Sequence, residues 1–340
     1  MCTSILTKTL DGKHILSRTM DFSHPLEETP TFIPRNFAWK SDANNVYYKS
    51  KYAYIGAGGE LNSLYFVTDG VNEHGLSAAE LYLPGEECYQ EEVVEGKLNL
   101  APHEFLMWIL GNCKSIEEVE ELAPTVNLIS IRVPEMGIIT PLHWIISDTT
   151  GRCVVIEPTE PTLHVMENPV GTMTNTPRLE WHIENLRNYL HVRPEQYESR
   201  NYGDYRANPF SQGTGTSGLP GGYTPPERFI RATFFKENIE PAKDESEGIS
   251  NAYHILNTVR IPKGIVVTGV GAKDYSLYIG SMCNESRTYY YSSYENHEIV
   301  KLILSDELLK ETEPIVFKYN QKKESFRELN QEINCESSNM

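Results

Sequence analysis

The thiol of Cys2 lies directly after the initiator methionine, and this position offers it a chemistry that the other cysteines lack. Methionine aminopeptidase removes Met1 when the next side chain is small, which would leave the thiol and a free α-amino group on one residue. An α-amine titrates at about 7.7–8.0, so its neutral form can take the thiol proton and activate the sulfur as a nucleophile. Many cytosolic proteins also begin Met-Cys without such a role, so the rest of the sequence is needed to decide whether Cys2 is a nucleophile.

Two segments on either side of an Asp-Gly-Lys turn predict a β-hairpin that brings further functional groups to Cys2. Residues 2–9 (CTSILTKT) form the first predicted strand and residues 14–21 (HILSRTMD) the second. The turn puts Cys2 and Asp21 at the same open end of the hairpin, and it puts Arg18 opposite the first strand. The pattern therefore places a cation and a carboxylate beside the candidate nucleophile.

Composition limits the classes of partner. The chain has 340 residues and a formal net charge of −17, and 39% of its residues are hydrophobic. So much negative charge argues against a nucleic-acid partner and against binding to an anionic membrane surface. No stretch reaches the ~18 apolar residues that span a bilayer, and charged residues interrupt the N-terminal segment, so we expect neither a membrane span nor a signal peptide. We predict a cytoplasmic protein.

The sequence lacks the usual signatures of metal and nucleotide sites. The six cysteines form no CxxC pair, and the ten histidines never occur as HxH or HxxxH. Residues 55–59 (IGAGG) resemble part of a dinucleotide-binding loop, but a polar turn and another strand follow instead of the required helix. Residues 213–222 are rich in glycine yet lack the Lys-Ser/Thr pair of a phosphate loop. We therefore predict no metal ion and no cofactor.

Strands and helices follow one another in blocks. Strands are predicted near 63–69, 76–83, 142–148, 152–157, 163–167, 264–269, 276–283, 287–293 and 298–304, and helices from Pro102, from Ser115, and over 178–190, 227–239 and 249–259. Blocks of strands without βαβα alternation predict an α+β fold in which stacked sheets carry helices on the outside.

The chain is predicted to form a single domain over residues 2–325, followed by a polar C-terminal tail over 326–340. One long segment, 191–226, is rich in Gly, Pro, Asn and Ser and shows no periodicity. A loop of that length inside a compact domain usually either has a function of its own or takes part in subunit assembly. We predict that it is an assembly arm that reaches a neighbouring subunit.

Five separated motifs resemble the choloylglycine hydrolase family of N-terminal-nucleophile hydrolases, which includes penicillin V acylases and bile salt hydrolases. They are MCTS, SRTMDF, TDGVNEHGLSAAELYLPG, GTMTNTP and GLPGGYTPPERFIRA, and IPKGIVV and SLYIGSMCNESRTYYY extend the likeness. The resemblance covers about residues 2–320. It implies a four-layer αββα fold, processing limited to loss of the leading residue, no cofactor, and a homotetramer.

The resemblance also implies roles for the polar residues in these motifs. Cys2 Sγ would attack an amide carbonyl and form an acyl-enzyme, while its own α-amine relays the proton to the leaving nitrogen. Asp21 would hold that amine in position. Arg18 and Arg228 would be the cations beside the sulfur, where positive charge favours the thiolate.

Two further residues are predicted to stabilise charge on the reacting carbonyl oxygen. Asn175 resembles the side-chain donor of the oxyanion hole, and Tyr82 occupies the position whose backbone N–H completes the hole in relatives. From the sequence alone, without the resemblance, an Asn just before Thr-Pro is better explained as a turn residue.

Tyr82 is also the main predictor of the substrate, because bile salt hydrolases of this family usually carry Asn there and penicillin V acylases often carry Tyr. A Tyr ring would narrow the pocket, so the sequence favours a penicillin V acylase-like amidase, with segments 20–27, 57–65 and 128–142 also shaping the pocket. The alternatives are a bile salt hydrolase, an acyl-homoserine-lactone acylase and, from another class, a non-catalytic binding module on the same fold. The intact set of polar residues argues against the last.

Overall fold

The computed structural model describes residues 1–25, 27–61, 64–133, 137–319, 324 and 326. Its strands are β1 (Cys2–Lys8), β2 (His14–Phe22), β3 (Thr29–Ile33), β4 (Ala38–Lys40), β5 (Tyr47–Lys49), β6 (Tyr54–Leu61), β7 (Leu64–Asn72), β8 (Ser77–Tyr82), β9 (Leu98–Leu100), β10 (Val126–Leu128), β11 (Leu142–Ser147), β12 (Cys153–Ile156), β13 (Val165–Glu167), β14 (Thr172–Met173), β15 (Arg200–Tyr202), β16 (Tyr205–Ala207), β17 (Val266–Val267), β18 (Lys273–Cys283), β19 (Thr288–Ser293), β20 (Val300–Ile303) and β21 (Ile315–Val316).

Helices follow the strands in blocks, as the sequence predicts. They are α1 (Pro102–Asn112), α2 (Ile116–Leu122), α3 (Leu179–Asn185), α4 (Pro225–Asn238) and α5 (Glu245–Asn257), with 3₁₀ helices at Ala123–Thr125, Leu186–Tyr189, Thr214–Thr216 and Leu308–Lys310. Ser115 caps α2, since its side chain accepts a hydrogen bond from the backbone N–H of Glu118. A Ser or Thr at this position satisfies a backbone donor that the helix itself leaves unpaired.

Two antiparallel sheets contain most of the strands. The seven-stranded sheet has the order β14-β1-β2-β18-β19-β20, with β17 paired to β18. The eight-stranded sheet has the order β13-β12-β11-β8-β7-β6-β3-β21. Cys2 therefore begins a strand of the first sheet that has partners on both sides.

The sheets pack face to face, and each carries helices on its outer face. Residues such as Leu16 of β2 and Val71 of β7 fill the core between the sheets. Phe105 of α1 packs on the outer face of the eight-stranded sheet, and Ile249 of α5 packs with Ile5 on the outer face of the other. Burying one face of each element against the next layer is what stabilises such a sandwich. The predicted α+β, four-layer αββα fold is confirmed.

The register of the N-terminal hairpin fixes which way its functional side chains point. Cys2 pairs with Met20, and Ser4 pairs with Arg18. Side chains alternate between the two faces of a strand, so Cys2 and Arg18 lie on the inner face, between the sheets. Asp21 lies on the outer face, toward the helices.

A β-bulge interrupts the eight-stranded sheet near this hairpin. Ala57 pairs with Asp69, but the next residue, Gly58, pairs with Val67, so Thr68 is the extra residue. A bulge breaks the alternation of side chains and re-aims them. As a result, Thr68 and Asp69 both direct polar atoms into the space between the sheets.

The structure refines several predicted elements. The strand predicted over 264–269 is only Val266–Val267, and the helix predicted over 178–190 ends as a 3₁₀ helix. The segment 191–226 is not wholly irregular, because it contains the short hairpin β15–β16, with Gly203 at a φ of 60° in its turn. Three-residue strands are too short to show a periodic pattern.

Some predictions fall partly on residues that the structure does not describe. Residues 26, 62–63 and 134–136 of the predicted pocket segments lie outside the described residues, as does the tail over 326–340 except for Phe326. The single-domain boundaries stay a prediction. Among the described residues, no helix is both long enough and apolar enough to cross a membrane.

Candidate active site

Cys2 lies at the centre of a buried cluster of polar groups. Its side chain is almost inaccessible, and Arg18 Nη2 donates a hydrogen bond to Cys2 Sγ at 2.9 Å. Met1 precedes Cys2 here, so the nitrogen of Cys2 is a peptide amide, and it donates to Asn175 Oδ1 at 2.8 Å. The thiol and the nitrogen of one residue are therefore each held by a separate polar partner.

Arg18 is completely buried, and its guanidinium contacts both sheets. Nη1 forms an ion pair with Asp69 Oδ2 at 3.0 Å and lies 3.3 Å from the Tyr278 hydroxyl. Burial lowers the pKa of Arg18, but its interactions with Cys2, Tyr278 and Asp69 outweigh that effect, and the pKa lies well above its usual value. Arg18 is therefore a permanent cation next to the sulfur.

Asp69 fixes the orientation of Arg18, and the sequence analysis did not identify it. Its Oδ2 also accepts a hydrogen bond from the Tyr278 hydroxyl at 2.5 Å, and its Oδ1 accepts one from the Tyr289 hydroxyl at 2.6 Å. Burial raises the pKa of both tyrosines well above the usual range, so each remains a neutral donor. The aspartate is thus bonded by three donors from three different strands.

Asp21 lies on the other side of the hairpin, as the register requires. Its Oδ1 accepts a hydrogen bond from the Ser276 hydroxyl at 2.5 Å, and its Oδ2 accepts one from the Thr19 hydroxyl at 3.1 Å. Its backbone carbonyl accepts a hydrogen bond from the N-terminal amine of Met1. Asp21 is fully buried.

Arg228 reaches the same position from the first turn of α4. Its Nη1 donates to the carbonyl oxygen of Cys2 at 2.5 Å, and its Nη2 donates to Asn175 Oδ1 at 2.6 Å. Nη1 also lies 3.9 Å from Asp21 Oδ2. Burial lowers the pKa of Arg228, and the charges of Asp21 and Cys2 act in the opposite direction. Arg228 therefore hydrogen-bonds to the backbone carbonyl of Cys2 and to the side chain of Asn175, whereas Arg18 hydrogen-bonds to Cys2 Sγ.

The contacts of Asn175 determine how its amide group is turned. It follows β14, which pairs with β1 through Ser4 and Met173. Two donors occupy Oδ1, so Nδ2 must point the other way, and it donates to the backbone carbonyl of Tyr82 at 2.7 Å. An oxyanion hole requires an N–H donor whose direction is fixed in this way.

Tyr82 is at the site through its backbone, while its ring points away from the sheet interface. The ring is partly buried and lies 5.8 Å from the ring of Phe22, measured between centroids. Burial raises the pKa of the Tyr82 phenol to about 12, with smaller contributions from Asp274 and Glu87, so the hydroxyl stays neutral.

Three other described cysteines lie in surroundings that raise the pKa of their thiols. Burial raises the pKa of Cys113 to about 12, that of Cys153 to about 12 and that of Cys283 to about 11. None of these three contacts an arginine, and all remain protonated thiols at neutral pH. The choice of Cys2 as the nucleophile stays a prediction.

A cavity of about 470 Å³ lies next to this cluster. Two of its lining residues, Thr68 and Glu80, accept hydrogen bonds from Arg18 through their backbone carbonyl oxygens, at 3.4 and 3.1 Å. Leu61 and Leu64 from one predicted pocket segment line it, as do Val133 and Thr140 from another, whereas Tyr82 does not. Its volume falls within the ~300–1,000 Å³ typical of small-molecule sites.

One group of possible metal ligands occurs among the described residues, at Asp42, His103 and Glu104. The carboxylate of Glu104 already accepts hydrogen bonds from the Ser41 hydroxyl at 2.7 Å and from the N–H groups of Asp42 and Ala101 at 2.6 and 2.8 Å. These donors satisfy Glu104 without an ion, and it caps the start of α1.

Comparison with known proteins gives a consistent picture. The model of the family described as linear amide C–N hydrolases, choloylglycine hydrolase family, matches residues 2–317. A bile salt hydrolase/transferase of Clostridium perfringens is 37% identical over 320 residues, which cover 94% of this chain and 97% of that protein. A penicillin V acylase of Pectobacterium atrosepticum is 23% identical over 74% of this chain and 66% of its own length.

A solved structure agrees with the sequence matches. The conjugated bile acid hydrolase of Clostridium perfringens, in a variant form, superposes with a TM-score of 0.89 at 37% identity, over 97% of this chain and all of that one. The match covers both sheets and both helical layers. The chain therefore belongs to the choloylglycine hydrolase family and is a hydrolase of linear amides.

Proposed function

We propose that this protein is a cysteine N-terminal-nucleophile amidase that acts on conjugated bile salts, with Cys2 as the nucleophile. The observation that carries the chemistry is the 2.9 Å contact between Arg18 Nη2 and Cys2 Sγ, in a buried cluster that also binds the nitrogen of Cys2. A buried cation favours the thiolate, which is the reactive form of cysteine.

In the proposed first step, Cys2 Sγ attacks the amide carbonyl carbon and a C–S bond forms. The α-amine that Cys2 gains when Met1 is removed takes the thiol proton and passes it to the leaving nitrogen as the C–N bond breaks. Water then attacks the thioester, releases the acid and returns the proton to Cys2. Asp21 would hold the amine, since it already accepts the N-terminal amine of Met1 through its backbone carbonyl.

Asn175 is proposed to stabilise the negative charge that develops on the carbonyl oxygen. Arg228 and the nitrogen of Cys2 hold its Oδ1, so its Nδ2 cannot turn away from the site. Removing one such donor typically costs ~3 kcal/mol of transition-state stabilisation. The backbone N–H of Tyr82 is the proposed second donor.

The comparisons support bile salts better than the penicillin V that the sequence analysis favoured. The bile salt hydrolase relative is 37% identical over nearly its whole length, against 23% over two thirds of the penicillin V acylase. Penicillin V, with its smaller aryl acid, remains a second candidate, because the rings of Tyr82 and Phe22 contact each other, with centroids 5.8 Å apart, and offer an aromatic surface to a phenoxy group.

The test is the ratio of kcat/KM for glycocholate and taurocholate to kcat/KM for penicillin V, measured with the same purified enzyme. We expect the bile salts to be turned over at least tenfold more efficiently. Cys2→Ala is the matched control, and it should hydrolyse neither. Intact-mass measurement of active enzyme should show a chain that begins at Cys2, and full activity in protein that retains Met1 would disprove the amine mechanism.

We also propose a homotetramer in which residues 191–226 contact a neighbouring subunit. Three aromatic side chains of this segment, Tyr202, Tyr205 and Phe210, are exposed by 60%, 70% and 94%. Apolar side chains clustered on one exposed arm often mark a protein–protein contact. The cytoplasmic location stays a prediction.

A further inference from the structure

Two buried histidine side chains hydrogen-bond to the backbone on either side of the Cα of Asn175. His143 of β11 donates from Nε2 to the carbonyl oxygen of Thr174 at 3.0 Å, and His182 of α3 donates from Nε2 to the carbonyl oxygen of Asn175 at 2.8 Å. The two histidines are exposed by only 1% and 2%. A carbonyl oxygen only accepts hydrogen bonds, so each Nε2 carries a hydrogen.

The two rings act where the strand ladder has ended. Strand β14 ends at Met173, and it pairs with β1 only through Thr172 and Met173. Buried carbonyl groups beyond the end of a strand need partners from elsewhere, because an unpaired one is costly. The histidines supply those partners to two successive peptide groups, so the backbone of Asn175 is fixed on both sides.

One carboxylate, Glu157, connects the two histidines. It follows β12 directly and is buried, and its Oε1 lies 3.1 Å from His143 Nδ1. Its two oxygens also accept hydrogen bonds from the backbone N–H of Leu179 at 3.1 and 3.3 Å. Leu179 is the first residue of α3, the helix that carries His182. Glu157 therefore fixes both the ring of His143 and the start of the helix that holds His182.

The ring of His182 has little freedom to turn. It stacks on the ring of Phe229, with centroids 4.7 Å apart and planes 15° from parallel. Its Nδ1 is buried and has no hydrogen-bond partner among the described residues, so a proton there would be unpaired. Burial lowers the pKa of His182, which agrees with a neutral ring. The one hydrogen of that ring is the one donated to Asn175.

These backbone contacts are separate from those that orient the amide group of Asn175. Its Oδ1 is held by Arg228 and by the nitrogen of Cys2, which sets the direction of Nδ2. The histidines instead set where the backbone lies. Both must be right for an oxyanion donor, since a misplacement of about 1 Å can cost about a hundredfold in rate.

We propose that His143 and His182 are positioning residues that hold Asn175 at the place where its Nδ2 stabilises the oxyanion, with Glu157 aligning the pair. The inference rests on the proposed role of Asn175 in amide hydrolysis and extends it to three residues that do not touch the reacting atoms. A donor that acts only on the transition state changes kcat and leaves KM nearly unchanged.

The experiment compares His182→Phe with His182→Gln on taurocholate, or on penicillin V if the wild-type enzyme hydrolyses that amide faster. Phe keeps a ring against Phe229 and removes the donor, so kcat should fall about ten- to a hundredfold while KM changes less than threefold. Gln retains an N–H donor, and its kcat should stay within about threefold of wild type. His143→Leu and His143→Gln should differ in the same direction.

Alkylation of Cys2 by iodoacetamide separates positioning from general damage. Iodide leaves a saturated carbon in that reaction, so no oxyanion forms, and the rate should stay within twofold of wild type in every variant. His14→Phe is the matched control, since His14 is also buried and bonded to a carboxylate, that of Glu285, at the far end of the hairpin from Cys2. It should leave kcat unchanged. If the Phe and Gln variants of His182 are equally active, or if alkylation and hydrolysis fall by the same factor, the proposal is overturned.

Hydrogen exchange followed by mass spectrometry needs no turnover and separates this proposal from the proposed function. The amides of residues 172–176 should exchange at least tenfold faster in His182→Phe than in the wild type, and at nearly the wild-type rate in His182→Gln and His14→Phe. If that pattern is found in an enzyme that hydrolyses neither taurocholate nor penicillin V, the proposed substrates are wrong and the positioning of Asn175 stands. Equal exchange in the Phe and Gln variants would overturn the positioning role.

Discussion

Replacing Asp69 by Asn tests whether the buried ion pair positions the active site. The carboxylate of Asp69 accepts three hydrogen bonds, from Arg18, Tyr278 and Tyr289. An amide of the same shape has one oxygen and a donor group, so at least one of the three donors would face another donor. Arg18 would also lose its only described carboxylate partner while it remains fully buried.

The expected loss of stability follows from these contacts. Removing one member of a buried ion pair typically costs about 3–5 kcal/mol, because the remaining charge is left uncompensated. A change of this size should be plain in urea unfolding monitored by circular dichroism. The activity should fall too, because Arg18 can then turn away from Cys2 Sγ. Losing one charge-assisted hydrogen bond of ~1.5–3 kcal/mol corresponds to about ten- to a hundredfold in kcat/KM.

Tyr289→Phe is the control for this experiment. It removes one donor to Asp69 but leaves the carboxylate and its pair with Arg18 in place, so we expect a loss of about 1–2 kcal/mol in stability and less than threefold in kcat/KM. Asp69→Asn enzyme with wild-type kcat/KM would refute the idea that Asp69 positions Arg18. So would a Tyr289→Phe enzyme that is as impaired as Asp69→Asn.

Four further predictions concern the nucleophile, the buried carboxyl of Glu80, the segment 191–226 and the ring of Tyr82. Cys2→Ser should abolish amide hydrolysis while Cys283→Ser retains most of it, and loss of turnover in well-folded Cys283→Ser enzyme would refute the choice of nucleophile. Burial raises the pKa of the Glu80 carboxyl well above its usual value, so the contribution of this carboxyl to stability is full below the unfolded-state pKa of about 4.5 and is lost as pH rises. Glu80→Gln should therefore gain unfolding free energy relative to the wild type between pH 4 and pH 8. A pH-independent difference between the two proteins would contradict this. Shortening residues 195–215 should dissociate the proposed tetramer in light scattering, and an unchanged mass would refute the proposed assembly arm. Tyr82→Asn should lower kcat/KM for penicillin V relative to taurocholate about tenfold, through the loss of ~1–2 kcal/mol of ring contact, and a ratio within twofold of wild type would show that the ring does not select the acyl group.

The hairpin could be predicted from the sequence because its interactions are local. Cys2 and Met20 are paired by a turn a few residues away, and the alternation of strand residues fixes which side chains share a face. Asn175 and Arg228 came only from the family resemblance. They meet Cys2 across 173 and 226 residues of chain, and no local pattern encodes contacts of that separation.

Asp69 was missed for a different reason. A regular strand over 63–69 would send Thr68 and Asp69 to opposite faces, and only the bulge at Thr68 turns both toward Arg18. The signal that could have identified it is a carboxylate two residues after the apolar run over 64–67, since a buried acid needs a partner. The family resemblance named two of the segments that line the cavity, but the position of the cavity could not be predicted. It forms where β7 and β8 part, beyond their pairing from Asp69 and Ala79 to Val71 and Ser77, and that parting depends on how four strands pack.

Arg18 links the sulfur of Cys2 to the two strands beside the cavity through the geometry of one side chain. Its Nη2 bonds both Cys2 Sγ and the carbonyl oxygen of Glu80, while its Nη1 bonds Asp69 and reaches the carbonyl oxygen of Thr68. The guanidinium thus takes the place of the backbone ladder where the strands part, and it holds the sulfur at the mouth of the gap. A lysine would bring the same charge, but its single ammonium lacks the planar fork that binds several acceptors at once. The need to keep the strands apart and the sulfur beside them therefore accounts for an arginine at this position.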